Sequence, residues 1–332
     1  MAVIFGADAL EGVIEMREAI DLLEWMGRHE ATGRTVVSPS LTTQVEGGWM
    51  RMMFAADHQS GYAATKAVHM VEGVGARYVT SLYRLGDGEL LAILDGRLMT
   101  DMRTGAASGV VARRVYVPDP VTVALIGSGR QARMQLESLA SVYRVQSVSV
   151  FSPTPEHRNK FAHDMTVRLG FPITAVAAAE AAVRDANVVV AATNSISGEP
   201  VLHGEWLDRC RLLCAVGSTR PQSIEIDAHC FERAEIIVLD SARADEEAGD
   251  LHHAVDAGAV PESKLASLAE LAVSASRVPM QGLVLFKSVG TALQDLALAV
   301  QYFEQLGELP HYSRVAELAS LKQAGQTVLP PQ

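Results

Sequence analysis

The chain has 332 residues, 48% of them hydrophobic, with 28 Lys and Arg against 39 Asp and Glu, a formal net charge of −11. That length allows two domains with sizeable cores, and the acidic balance argues against nucleic acid or an anionic membrane as the main partner. No stretch reaches the ~18 uncharged apolar residues of a membrane span, the N-terminus lacks the basic region of a signal peptide, and Cys210, Cys214 and Cys230 lack metal-ligand spacing. The expectation is a soluble cytoplasmic protein with buried, reduced thiols and no metal.

Apolar residues recur at helical spacing over 14 to 31 (Ile14, Met16, Ile20, Leu22, Leu23, Met26), which predicts an amphipathic helix covering a sheet face. Strand candidates follow at Thr35–Val37, Gly48–Phe54, Tyr62–Met70, Ala76–Arg84 and Glu89–Asp95, with Gly86-Asp87-Gly88 as a hairpin turn between the last two. Residues 101 to 115, rich in Ala and Gly, read as a helix packed closely on a neighbour. Pro118 and Pro120 mark a linker. This first part is α+β and largely β.

From residue 121 strands and helices alternate. Strands are expected at 121 to 126, Ser147–Phe151, Ile173–Ala175, Val188–Ala192, Leu212–Val216, Ile236–Leu239 and Leu283–Val289. Helices are expected at Pro155–Leu169 and Ala178–Arg184. That alternation predicts a doubly wound, mostly parallel sheet of the Rossmann type. A closing helix over Thr291–Leu306 could pack back on the first part. The tail after Gln323 reads as disordered, and the acidic run at 245 to 250 as a solvated helix. The division expected is 1–120 with 305–332 for the first domain and 121–304 for the second.

The stretch VTVALIGSGRQARMQLESL at 121 to 139 carries the strongest chemical signal. A buried strand meets Gly127-Ser128-Gly129 and passes at once into a helix. Gly127 permits the sharp turn, Gly129 lets a pyrophosphate approach the backbone, and Ala132 lets helix and strand pack closely. The Gly127–Gln131 turn, with Arg130 in it, therefore reads as a dinucleotide site, against the plainer reading of a glycine turn in an ordinary βα unit. At the end of the next strand there is no carboxylate for a ribose 2′-hydroxyl. Ser152, Thr154 and Arg158 suit a 2′-phosphate, so NADP is favoured, with NAD the alternative.

In the first part Arg51 and Lys66 stand between apolar neighbours on adjacent strands. Each alone could simply snorkel, but together, in an acidic protein, they point to an anion pocket. Arg103 adds a guanidinium fork suited to a carboxylate. His58, His69, His252 and His253 lack a paired acid and read as structural or surface residues.

These segments resemble the ornithine cyclodeaminase/μ-crystallin family. The likeness runs through MRMMFAADHQSGYAATK (50–66), RTGAASGVVARR (103–114), ALIGSGRQA (124–132), EPVLHGEWL (199–207), AVGSTRP (215–221) and FKSVGTALQDLALA (286–299). It implies an N-terminal domain that holds substrate and dimerises, completed by the C-terminal helix, and a central Rossmann domain. It also implies that Arg51, Lys66 and Arg103 surround a substrate carboxylate, while Thr104, Thr193, Val216, Gly217, Ser218 and Ser288 lie along the cofactor. Thr219 stands where the cyclodeaminases and the alanine dehydrogenases of the family carry an aspartate that handles the substrate amine, and GSTRP resembles the μ-crystallin version. The resemblance therefore implies an NAD(P)H-dependent reductase of a 2-imino acid, or an amino-acid dehydrogenase, with Lys66 and Arg51 as catalytic candidates. The alternatives are a cyclodeaminase with bound NAD, and a non-catalytic NADPH and small-ligand binder of the μ-crystallin kind.

Overall fold

The computed structural model describes residues 2–195, 198–274 and 282–307, together with the backbone of 313–315. In the first unit, β1 (Ala2–Phe5) is followed by α1 (Ala7–Leu10), α2 (Met16–Ala31), β2 (Thr35–Val37), β3 (Leu41–Val45), β4 (Gly48–Asp57), β5 (Tyr62–Val71), β6 (Gly75–Arg84) and β7 (Leu90–Asp95). Strands β4 to β7 form an antiparallel meander. β1 adds in parallel beside β7, while β2 and β3 both pair with β4. The expected strand segments are all present, several a few residues longer than predicted. The helix read at 101 to 115 begins earlier, as α3 (Gly96–Arg114), because Asp95 caps its first turn by accepting from the Arg97 N–H. Its small residues serve close packing. A Cβ on Gly105 would strike the Met134 backbone, and one on Gly109 would overlap Ile20 and Ser138.

The second unit alternates β8 (Val121–Ile126), α4 (Arg130–Val142), β9 (Val145–Phe151), α5 (Pro155–Leu169), β10 (Ile173–Ala175), α6 (Ala179–Val183), β11 (Val188–Ala191) and β12 (Leu212–Ala215). It continues through α7 (Ala228–Arg233), β13 (Ala234–Leu239), α8 (Ala244–Glu247), α9 (Gly249–Asp256), β14 (Leu265–Ser267), α10 (Leu268–Val273) and β15 (Leu283–Lys287). The eight strands run β10-β9-β8-β11-β12-β15-β13-β14, and every pairing is parallel. Sequence order reverses between β8 and β11, and a doubly wound sheet opens its ligand crevice at such a point. The central strands are apolar on both faces: every residue of β11, β12 and β15 is buried.

The last helix, α11 (Ala292–Leu306), packs on α2, α3, β4, β5 and β6 of the first unit. A boundary at 304 would cut through it, so we place the division before Ala292. Beyond it, β16 (Ser313–Val315) pairs antiparallel with β1. The tail after Gln323 lies outside the described residues. The acidic run at 245 to 250 departs from the solvated helix expected. It splits into α8 and α9 at Gly249, where a Cβ would strike the Pro221 and Ser223 carbonyls. Asp250 is buried against Lys287, Nζ to Oδ1 3.0 Å. The three cysteines are buried free thiols, and burial pushes each thiol pKa up.

Candidate active site

Strand register alone gathers half of the site. Residues opposite each other in a pleated ladder share a face, as do residues two apart along a strand. Met53 pairs with Lys66 and Lys66 with Thr80, while Arg51 pairs with Val68 and Val68 with Tyr78. Arg51 and Lys66 therefore project from the same face of the sheet, the one that α3 and α11 cover.

Lys66 is fully buried. Its Nζ donates to Asp295 Oδ1 at 2.7 Å and to Thr100 Oγ1 at 2.7 Å, and lies 5.6 Å from the Tyr78 ring centroid. Burial lowers its pKa to about 8. The Asp295 carboxylate opposes that shift and the Arg103 charge adds to it. Two of the three ammonium protons are thus engaged, which leaves the third for the cavity.

Arg103, on α3, donates from Nη1 to Gln294 Oε1 at 3.0 Å, and its Nε stands 3.7 Å from Asp295 Oδ2. Neither of those last two atoms has a hydrogen bond among the described residues. Gln294 in turn donates to Asp240 Oδ2 at 3.0 Å, and that carboxylate also receives the Ser288 hydroxyl at 2.6 Å and the Gly290 N–H at 3.0 Å. Arg51 is partly buried. Its Nε donates to Thr42 Oγ1 at 2.9 Å, its Nη1 lies 3.6 Å from Glu247 Oε2, and its guanidinium sits 5.5 Å from the Trp49 ring centroid.

Across a cavity of about 710 Å³ these cations face the glycine turn. Gly127 has φ +113, and a Cβ there would strike the Ala192 carbonyl at the end of the neighbouring strand, so only glycine fits. Gly129 is the N-cap of α4 with no side-chain cap, and a Cβ built on it meets nothing within 4 Å. The first N–H groups of α4 are thereby open to an anion, as a bound pyrophosphate requires. The residues present fit a dinucleotide.

The cavity brings together most of the residues singled out in the sequence. Arg51, Lys66, Arg103 and Thr219, the residues expected to hold substrate, line it. Thr104, Gly127, Ser128, Gly129, Arg130 and Gln131 line it around the α4 start, and Ser152 and Thr154 at the end of β9. Thr193, Val216, Gly217 and Ser288 line it beyond β11, β12 and β15. Arg130 and Gln131 both reach Asp101 of α3, at 3.3 and 3.0 Å. Two predicted residues stand apart. Ser218 is buried with its hydroxyl donating to the Ser223 carbonyl. Arg158 does not line the cavity, because its Nη1 donates to the Ser152 carbonyl at 2.8 Å and the Pro153 carbonyl at 3.3 Å.

Sequence reading missed four residues. Asp295 and Gln294 lie one turn into an apolar helix, where no pattern distinguishes them from solvated positions. Asp240 follows a buried strand and looks like an ordinary strand-end acid. Glu225 is buried, and its two oxygens accept from the Thr193 N–H and the Gly217 N–H, the latter at 2.8 Å. It ties together the two loops that leave β11 and β12. Burial raises its pKa. His29, buried against Asp57 at 2.7 Å, is a further pair the sequence did not suggest.

A profile of the Ornithine cyclodeaminase/mu-crystallin family matches residues 3–308. The chain belongs to this family. It is 30% identical over 306 residues to an alanine dehydrogenase of Archaeoglobus fulgidus, a match that covers 90% of this chain and 92% of the relative. It is 32% identical over 242 residues to a Delta(1)-pyrroline-2-carboxylate reductase of Bacillus cereus, covering 71% and 74%. Among solved structures, the Delta(1)-pyrroline-2-carboxylate reductase of Thermococcus litoralis, in complex with NADH and L-proline, superposes with a TM-score of 0.88. The sequence identity is 28%, over 94% of this chain and all of the other.

Proposed function

We propose that the protein is an NAD(P)H-dependent oxidoreductase acting on the C=N or CH–NH bond of a 2-imino or 2-amino acid. One observation carries this reading: Arg51, Lys66 and Arg103 converge on the same cavity as the open N-terminus of α4. A carboxylate held by those cations would lie between the sheet and the dinucleotide half, with its α-carbon toward the cofactor.

A bound nicotinamide dinucleotide supplies or accepts the hydride at that carbon. The protein handles the proton. In the reductive direction Lys66, charged below about pH 8, delivers one proton to the substrate nitrogen as the C=N bond becomes CH–NH; in the oxidative direction it takes the proton back. Asp295 keeps the ammonium oriented, and Arg51 and Arg103 hold the carboxylate. Burial of Lys66 and Asp295 keeps water from this pair and strengthens each charge interaction. Thr219 offers no carboxylate for the amine chemistry of a cyclodeaminase, which supports the redox reading over ammonia loss.

For the cofactor, the absence of a carboxylate from 151 to 154 supports NADPH over NADH. Ser152 and Thr154 line the cavity where the adenosine ribose would lie.

The test is steady-state kinetics with NADPH and with NADH on Δ1-pyrroline-2-carboxylate, Δ1-piperideine-2-carboxylate, and pyruvate with ammonia or methylamine. Cofactor oxidation with at least one imine is expected, at higher kcat/KM for NADPH. No oxidation across that panel, with ammonia released from ornithine or lysine instead, would replace the reductase by a cyclodeaminase. A higher kcat/KM for NADH would overturn only the cofactor preference.

A further inference from the structure

Beside the substrate half of the active site lies a second cavity, of about 410 Å³. Trp49 and Arg51 line both, so the second space continues the first past the Arg51 guanidinium. Its other charged walls are Arg220, Arg243, Glu246 and Glu247. These charges do not cancel locally. Arg243 is bound to Glu246, and Glu247 approaches Arg51 at 3.6 Å, too long for a hydrogen bond. Arg220 is left half-buried, with no ion pair among the described residues. It lines the same cavity as Arg51, whose pKa burial lowers, with the Glu247 charge opposing that shift and the Arg220 charge adding to it. With three guanidinium groups, Arg51, Arg220 and Arg243, against the two carboxylates Glu246 and Glu247, the walls carry one positive charge in excess, which favours an anion at Arg220.

The backbone presents Arg220 from a fixed position. Its carbonyl accepts from the Ser223 N–H at 3.0 Å and from the Gly249 N–H at 3.2 Å. Gly249, in turn, packs so tightly on Pro221 and Ser223 that a Cβ would not fit.

We propose that this cavity is the side-chain subsite and that it takes a second carboxylate, which makes the substrate a 2-imino dicarboxylic acid with Arg220 as its specificity-determining residue. The proposal rests on the reductase reading above. Cα, the imine nitrogen and the first carboxylate stay in the larger cavity; the distal carboxylate passes Arg51 and meets Arg220. Glu246 is bound to Arg243, and Glu247, whose buried Oε2 has no hydrogen bond among the described residues, faces Arg51 at 3.6 Å rather than Arg220.

The experiment compares kcat/KM for imines formed from ammonia and pyruvate, oxaloacetate or 2-oxoglutarate, with the wild-type protein and with Arg220→Met and Arg220→Lys. Wild type is expected to favour a dicarboxylic imine over the pyruvate imine. Arg220→Met is expected to lower the ratio of dicarboxylic to monocarboxylic kcat/KM by roughly 10- to 100-fold, the range of one charge-assisted hydrogen bond. Arg220→Lys should recover part of that ratio. Because the readout is a ratio within one protein, a general loss of folded enzyme does not mimic it. Two results would overturn the subsite while leaving the reductase standing: a wild-type enzyme that prefers the pyruvate imine to both dicarboxylic ones, or an Arg220→Met enzyme with an unchanged ratio. Reduction of no imine at all removes both readings.

Discussion

Lys66 carries the sharpest residue-scale consequence. Its pKa stands at about 8, below the ordinary lysine value, because burial outweighs Asp295. A general acid must be protonated, so kcat/KM for imine reduction should fall as pH rises through about 8, while amine oxidation should rise through the same range. For stability the sign is opposite to that of a salt-bridged lysine. The unfolded chain binds this proton more tightly than the folded one. The ammonium therefore costs stability below about pH 8, and the cost fades as pH rises toward the unfolded value. Lys66→Met should lower kcat/KM by at least ~10²-fold while NADPH affinity stays within a few-fold, since the Gly127–Gln131 turn belongs to the other unit. Near-wild-type turnover in that variant, measured beside fluorescence titration of NADPH, would remove Lys66 from the mechanism. The lysine was legible in the sequence as a cation between apolar neighbours; its carboxylate partner was not, because 229 residues separate them and contact between them is a property of the fold.

At the scale of elements, α11 decides how the two units cooperate. It leaves the Rossmann sheet after β15 and lays Asp295 and Gln294 against Lys66 and Arg103 of the first unit. The turn before it is fixed by Asp240, which gathers Ser288, Val289, Gly290 and Gln294. Gly290 has φ +81, and a Cβ there would overlap the Arg103 guanidinium. Gly290→Ala should therefore displace Arg103 as well as strain the turn. The strain costs about 1–3 kcal/mol. Loss of one charge-assisted contact should raise KM for the carboxylate substrate roughly tenfold or more. Thermal unfolding and KM measured on the same preparation separate the two effects. A lowered Tm with unchanged KM would show that Arg103 tolerates the new methyl and binds as before. The helix itself was visible from its apolar spacing, as were the glycine turn and the alternating strands, because periodicity and turn chemistry are local. What escaped were Asp240 and Glu225, buried acids whose partners, backbone N–H groups for both and the Ser288 and Gln294 side chains for Asp240, are brought near only by sheet order. The solvated reading of 245 to 250 failed for a related reason: Lys287, the partner that takes Asp250 out of water, lies on β15, inside the sheet.

For the whole molecule, the outer face of the first sheet is the feature a single chain leaves unexplained. The register that sends Arg51 and Lys66 inward sends Met50 and Met52 outward. Leu41 pairs with Met52, Met52 with Ala67 and Ala67 with Val79, so these side chains share the outer face. Val36, opposite Ala56, joins them. All but Ala67 are exposed, Leu41 by 66%. Contiguous exposed apolar residues on a sheet of this size mark an interaction surface. The proposed partner is a second copy of the chain, joined through this face, with Leu41 at the edge it shares with the second cavity. Homodimers are the commonest soluble assemblies, and a two-fold axis needs only one self-complementary patch. Sedimentation equilibrium at micromolar concentration should then give twice the monomer mass. Replacing Leu41 and Met52 together by Lys should shift the protein to monomer, because each partner would bury two unpaired charges against apolar neighbours. The folded chain should survive, since both residues point away from its core. A wild-type protein that sediments as a monomer would refute the dimer. So would a double variant that keeps twice the monomer mass, because assembly would then use another surface.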